Sequence, residues 1–235
     1  EAPVQYQVET EGDDPTFIRC VATGDLDSDG DADVIASDRY GEEIVILLND
    51  GEGNLEEWGS VFSEGCERNR IVILEDLDGN GLLDIASAST AGAAVFLNGG
   101  FDGEWLGFEP VMVYPSGVNP HWIDAVDLDL DGSLDLLVAD FGEVDMETGW
   151  HAFLNNGDGT FTDVTIQAGL AKENYPTQTS SWADYDNDGF LDLYVGNEIV
   201  GDRPAPSQLF HNNGDGTFTD LAAEAGVRSD RYAKG

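Results

Sequence analysis

Apolar residues along this chain come in short runs separated by acidic and glycine-rich turns, and the pattern recurs four times. Runs at 18–22, 71–74, 122–126 and 181–183 each precede an acidic loop, and runs at 34–36, 85–86, 136–139 and 193–195 each follow one. Apolar stretches this short, bounded by turn residues, predict buried strands rather than helices. A third set at 44–48, 94–97, 152–154 and 208–210 leads into turns rich in Gly, Asn and Asp, among them Asn155-Asn-Gly-Asp-Gly159. Those residues tolerate positive φ, so a hairpin is expected. The returning strands are expected at 58–62, 108–114, 161–166 and 218–221. Helical periodicity is nearly absent, with a hint of one turn at 221–225.

The acidic loops are copies of one nine-residue pattern starting at Asp25, Asp76, Asp127 and Asp184, hence 51, 51 and 57 residues apart. That period suits a propeller blade of four short strands, with the loop joining its first and second strands. The expected fold is all-β, a β-propeller-like array of four-stranded blades in a single repeat domain over 1–235. A stray fourth strand falls within about 1–14 (residues 4–9), repeats at 15–65, 66–116, 117–170 and 171–228, and the start of a further unit at 229–235. A fourth strand ahead of four full units predicts a partial propeller, completed by further chain or by neighbouring subunits. A closed four-bladed ring would leave one strand over.

The loops carry the candidate chemistry. Ca²⁺ takes six to eight oxygens at about 2.3–2.6 Å. The first loop offers Asp25, Asp27, Asp29, the Asp31 carbonyl and Asp33; the second offers Asp76, Asp78, Asn80, the Leu82 carbonyl and Asp84. The third offers Asp127, Asp129, Asp131, the Ser133 carbonyl and Asp135; the fourth offers Asp184, Asp186, Asp188, the Phe190 carbonyl and Asp192. Glycine at the sixth position, Gly30, Gly81, Gly132 and Gly189, permits the sharp reversal. An EF-hand would need a glutamate at position 12, where this chain has Ala36, Ser87, Val138 and Val195. With no Cys or His inside the loops, zinc and copper are poor candidates there, so about four Ca²⁺ ions are expected. The second site is expected to be the weakest, because Asn80 lowers its carboxylate count.

Charge sharpens this picture. The chain has 48 acidic and 9 basic residues, a formal net charge of −39. Nucleic acid would be repelled, and no apolar run is long enough to enter a membrane. Four Ca²⁺ ions add +8, taking −39 only to −31, so the surface stays strongly anionic. The chain opens on Glu1 without a charged-then-apolar leader and reads as a processed or excised piece. Cys20 and Cys66 could form one bridge or remain two buried thiols.

At these loops the sequence resembles the FG-GAP/VCBS repeats of integrin α-subunit propellers and of many secreted bacterial proteins. Asp-x-Asp-x-Asp-Gly-x-x-Asp is that family's calcium signature. The second half, with Trp182-Ala-Asp-Tyr-Asp-Asn-Asp-Gly-Phe-Leu-Asp192 and Leu209-Phe-His-Asn-Asn-Gly-Asp-Gly-Thr-Phe-Thr-Asp220, resembles the cartilage acidic protein (ASPIC/UnbV-associated) group. The resemblance implies a propeller, commonly seven-bladed, with calcium in the blade hairpins and an extracellular or cell-surface location.

Three function classes follow. The leading expectation is a calcium-stabilised extracellular structural or adhesion module, whose partner is a protein, a glycan or a further copy of itself in an oligomer or filament. The alternative is a carbohydrate-binding propeller in which Trp58, Trp105, Trp122, Trp150 or Trp182 stacks on sugars. A secreted hydrolase ranks third. The histidines are His121, His151 and His211, no Gly-x-Ser-x-Gly motif is present, and the loop aspartates are better explained as ligands, so no catalysis is expected.

Overall fold

The computed structural model describes residues 18–38, 43–62, 68–141, 149–170, 175–197 and 205–229. The expected strand at 4–9, the unit beginning at 229–235 and Cys66 lie almost wholly outside these residues. The described chain is all-β. The first sheet is β1 (Ile18–Gly24), β2 (Asp33–Asp38), β3 (Glu43–Asn49) and β4 (Leu55–Phe62). The second is β5 (Ile71–Glu75), β6 (Asp84–Ser89), β7 (Gly92–Phe96) and β8 (Met112–Tyr114). The third is β9 (Pro120–Val126), β10 (Asp135–Asp140), β11 (Gly149–Asn155) and β12 (Phe161–Asp163). The fourth is β13 (Thr177–Ala183), β14 (Asp192–Asn197), β15 (Gln208–Asn212) and β16 (Phe218–Asp220). Each sheet is an antiparallel meander in chain order, the arrangement of a propeller blade.

The expected fourth strands at 108–114, 161–166 and 218–221 are longer than those formed. In the second sheet, pairing breaks after the Asn98–Phe108 bridge and resumes only at Met112. In the third and fourth sheets the chain curls away into a single turn, with Ala168 N bonding Val164 O at 2.7 Å and Ala225 N bonding Leu221 O at 2.8 Å. Asp163 and Asp220 start those turns by accepting the Thr165 and Ala222 amides at 2.9 and 3.0 Å.

The core lies between the sheets. Leu26, Ile35, Ile44 and Ile46 of the first meet Val72, Ile85, Ala94 and Phe96 of the second. Ala86 and Val95 of the second meet Ile123, Leu136 and Phe153 of the third, and Leu137, Ala139 and Trp150 of the third meet Leu193, Val195 and Phe210 of the fourth. The inner strands β6 and β10 are buried along their whole length because both faces are covered. Each buried Ile, Leu or Phe contributes about 1.5–3 kcal/mol by leaving water. Among the described residues no such cluster joins the first sheet to the fourth, so the array is open and the four-bladed ring is not formed.

Polar clamps cross the same boundaries. The asparagine ending each third strand turns its side chain toward the acidic loop of the preceding sheet. Asn98 Nδ2 donates to Leu26 O at 2.9 Å, Asn155 to Leu77 O at 2.7 Å and Asn212 to Leu128 O at 3.1 Å. Each also bonds the carbonyl just before the second strand of its own sheet, that of Leu83, Leu134 or Leu191. Each side-chain oxygen accepts a turn amide, from Gly100, Gly157 or Gly214. Asn49 has the same role within the first sheet, bonding Ala32 O and the Gly51 amide.

Replacing Asn155 by Ala strands two carbonyls and an amide at a blade boundary. Urea unfolding should register a loss of about 2–4 kcal/mol, against less than about 1 kcal/mol for Asn49→Ala, whose described bonds stay within one sheet. Equal losses at the two positions would remove the cross-blade clamp.

Candidate metal centres

The four acidic loops share one backbone course. The fourth residue takes positive φ in every copy (Ser28 57°, Gly79 73°, Leu130 60°, Asn187 62°), and so does the glycine two places on. The aspartates enforce this path. The position-1 carboxylate accepts the position-6 amide: Gly30 N–Asp25, Gly81 N–Asp76, Gly132 N–Asp127 and Gly189 N–Asp184, at 2.9 to 3.1 Å. The position-3 side chain, Asp27, Asp78, Asp129 or Asp186, accepts the amide two residues on. The position-5 side chain, Asp29, Asn80, Asp131 or Asp188, accepts the amide of Asp31, Leu82, Ser133 or Phe190. Such local side-chain bonds hold the loop without any ladder bond.

The position-9 aspartate has a second task that spacing alone did not disclose. Asp33, Asp84, Asp135 and Asp192 are buried. One oxygen of each accepts the position-2 amide, from Leu26, Leu77, Leu128 or Tyr185, at 2.7 to 3.1 Å. The other accepts the amide of the clamp asparagine, Asn49, Asn98, Asn155 or Asn212, at 2.7 to 2.9 Å. This carboxylate therefore ties the loop to the end of the third strand, as well as standing where a ligand was expected.

Ligand oxygens converge in every loop. Asp25, Asp27 and Asp29 place oxygens within 4.8 Å of one another, as do Asp76, Asp78 and Asp84, then Asp127, Asp129 and Asp135, then Asp184, Asp186 and Asp192. Asp33, Asp131 and Asp188 stand outside these trios, so the first trio uses positions 1, 3 and 5 and the other three use positions 1, 3 and 9. In the second loop the Asn80 amide donates to Asp78 Oδ2 at 3.0 Å, so an internal hydrogen bond already occupies one candidate ligand. A further grouping, Asp186, Asp188 and His211, joins the fourth loop to β15. Sequence spacing missed His211 as a partner because it lies on a different strand.

The donor sets fit a hard cation. They are carboxylate oxygens, and Asp25 Oδ1 is buried with no hydrogen-bond donor. A desolvated carboxylate oxygen facing other carboxylates is a costly arrangement that a bound cation relieves. The same strain appears in the proton affinities. Burial pushes the Asp84 and Asp135 carboxyls up to about 6, against the opposing pull of the two amides each accepts, with Asp78 and Asp76, or Asp129 and Asp131, adding to the rise. Asp27 is raised by burial and then by Asp29, Asp33 and Asp25.

The tryptophans are mostly interior. Trp150 is buried in the core between the third and fourth sheets, and Trp122 and Trp182 pack against it. Trp105 packs on the core between the first and second sheets and donates to Asn98 Oδ1 at 2.9 Å. Trp58 is 44% exposed and packs at a tilt against Trp105, with ring centroids 4.7 Å apart at 46°; Phe101 and Leu106, in the loop around Trp105, are exposed too. That loop turns at Gly107 (φ 73°), where any Cβ would strike the Trp58 ring.

A family model for the FG-GAP-like repeat matches residues 25–87, 76–138 and 139–195. Two solved structures are similar over 85% of this chain. One is an Agrocybe aegerita lectin, solved for its specific recognition of non-reducing terminal N-acetylglucosamine, with 21% identity and a TM-score of 0.52. The other is the V. cholerae biofilm matrix protein Bap1, with 18% identity and a TM-score of 0.51. The chain spans 50% of the lectin and 27% of Bap1, and at these identities the likeness is one of fold. No curated protein matches the chain. Among the described residues no helix is long and apolar enough to cross a membrane.

The raised carboxyls set a pH dependence for the metal-free chain. Asp84 and Asp135 titrate near 6 when folded and near 3.9 when unfolded, so between these values the folded state holds the extra protons. Their contribution is complete below about pH 4 and is lost as pH rises through about 6. In EDTA, the melting temperature should therefore fall from pH 4.5 to pH 7, and a flat or rising profile would contradict burial of these two carboxyls as the cause of their raised values.

Proposed function

The chain belongs to the FG-GAP-like repeat family, and from that premise we propose that it is a calcium-binding structural module of the cell exterior. The observation that carries this reading is the buried, unpartnered Asp25 Oδ1 within the first of four carboxylate trios, one in each acidic loop. Calcium suits them better than magnesium, which keeps its waters and demands a small octahedron. The side chains at positions 1, 3, 5 and 9 supply oxygens, joined by the carbonyls of Asp31, Leu82, Ser133 and Phe190. Millimolar calcium outside the cell is what loops of modest affinity need. In this reading the metal stiffens the blades, which present loops and end sheets to a protein, a glycan or a second copy of the chain. Catalysis has no part in it: His121 stacks on Phe141 at 5.0 Å, His151 on Phe153 at 6.5 Å, and His211 faces the fourth loop.

A Kd of about 10⁻⁴ M at roughly millimolar calcium stabilises each site by about 1.4 kcal/mol. Four sites then contribute about 5–6 kcal/mol, comparable with the net stability of a domain. Calorimetry should find the melting temperature about 10–20 °C higher in 1 mM Ca²⁺ than in EDTA. Coincident melts would falsify the calcium reading.

The exposed Trp58 supports a second reading, a glycan contact at its ring beside the loop that turns at Gly107. Aromatic faces stack on the apolar side of sugar rings, and one structural neighbour is a lectin. Titration with N-acetylglucosamine-terminated oligosaccharides should change tryptophan fluorescence in the native chain and not in Trp58→Ala. Silence across a glycan array would eliminate this alternative.

A further inference from the structure

We infer that the fourth loop, unlike the other three, is a mixed nitrogen–oxygen site that takes a first-row transition ion of the zinc type, with His211, Asp186 and Asp188 as ligands. This rests on the reading of the loops as cation sites and specialises one of them. The residue preceding the clamp asparagine is Leu48, Leu97 or Leu154 in the first three sheets and His211 in the fourth. The position-2 residue changes with it, from Leu26, Leu77 and Leu128 to Tyr185. Tyr185 meets the imidazole edge-on, with ring centroids 6.3 Å apart at 84°. Two apolar positions have thus been exchanged together for a donor and the ring that packs against it.

The surroundings orient the donor. Asp192, buried and bound to two backbone amides, faces His211 Nδ1 at 3.0 Å. A carboxylate there selects the tautomer protonated on Nδ1 and leaves the lone pair on Nε2, the carboxylate–histidine arrangement that supports metal-bound imidazoles elsewhere. Nε2 stands 3.9 Å from Asp188 Oδ2, and Asp186 Oδ2 lies 3.4 Å from Nδ1. The three ligand groups place atoms within 4.8 Å of one another. Bonds of about 2.1 Å span up to about 4.2 Å across one ion, a span the Asp188–Nε2 separation meets, while exposed Asp186, which lies nearer Nδ1, has to turn toward Nε2 to complete the set. An imidazole nitrogen adds little for calcium and much for zinc, copper or nickel. The other three loops offer oxygen only and give no such preference.

The test uses the untagged chain in excess calcium, titrated with Zn²⁺ in a calorimeter and with Co²⁺ by visible absorption. One ion per chain should bind. His211→Leu, which restores the residue of the other sheets, should weaken it by at least about tenfold and abolish the cobalt bands while keeping the calcium-induced rise in melting temperature. Asp188→Asn, at an exposed position, should give the same loss and guards against misfolding of the first variant. Absence of zinc uptake in excess calcium, or equal uptake by His211→Leu, overturns the inference. Zinc uptake in a chain whose melt ignores calcium would leave the fourth site standing and remove the calcium reading.

Discussion

Four buried aspartates each hold two backbone amides with one carboxylate, and the blades are assembled around them. Asp33, Asp84, Asp135 and Asp192 join the entrance of the acidic loop to the end of the third strand, two points that the sheet ladder does not connect directly. An anion in that position costs free energy unless it is fully bonded. The amides meet part of that cost, yet burial still pushes the Asp84 and Asp135 carboxyls up to about 6, with the neighbouring acids of each loop adding a smaller rise. The device that closes each blade is therefore the one that most needs positive charge beside it. On the proposed reading of the loops as calcium sites, stability and cation occupancy would be coupled, as in other small sites that fold around an ion.

The loops manage their acidity with the chain's own dipoles. Positions 1, 3 and 5 accept turn amides in nearly every copy, so each carboxylate is oriented before any ion arrives. That preorganisation has a backbone cost. Leu130 occupies the left-handed region that Gly79 and Asn187 reach easily, at an expense of about 1–2 kcal/mol. It is tolerated because the amides of Asp131 and Gly132 reach Asp127 only along that path.

Much of this was legible in the sequence because it is local. Acids at positions 1, 3, 5 and 9 around a glycine define a ligand set by spacing, and short apolar runs mark strands whose centres the structure reproduces. What spacing could not reveal depends on how blades are juxtaposed. Asn98, Asn155 and Asn212 read as turn formers, and they are, but their amides also reach carbonyls 72, 78 and 84 residues away. His211 enters the fourth loop from another strand, so a search within nine residues passes over it. The third and fourth sheets' last strands are shorter than the pattern predicts because apolar character continues through Ile166 and Leu221, where Asp163 and Asp220 have already turned the chain. The five tryptophans read from the sequence first as filling between blades; Trp105, Trp122, Trp150 and Trp182 lie in or against the interblade cores, and the structure alone singles out Trp58 as exposed.

The clamps also give the array a direction. In each of the first three loops the position-2 peptide has its N–H on the position-9 aspartate of its own blade and its carbonyl on the asparagine of the next. Whatever fixes an acidic loop thereby fixes one wall of the following interblade core, whose apolar residues lie directly beneath. Nearest-neighbour coupling of this kind makes stability a sum of blade and interface terms. On the proposed reading, an ion in the first loop would steady the first boundary and reach the third only through the second. The fourth loop differs, because its position-2 residue, Tyr185, turns its ring to His211 within its own blade. The site proposed at His211 would thus sit at the end of the relay among the described blades, where altering one loop disturbs the fewest interfaces behind it.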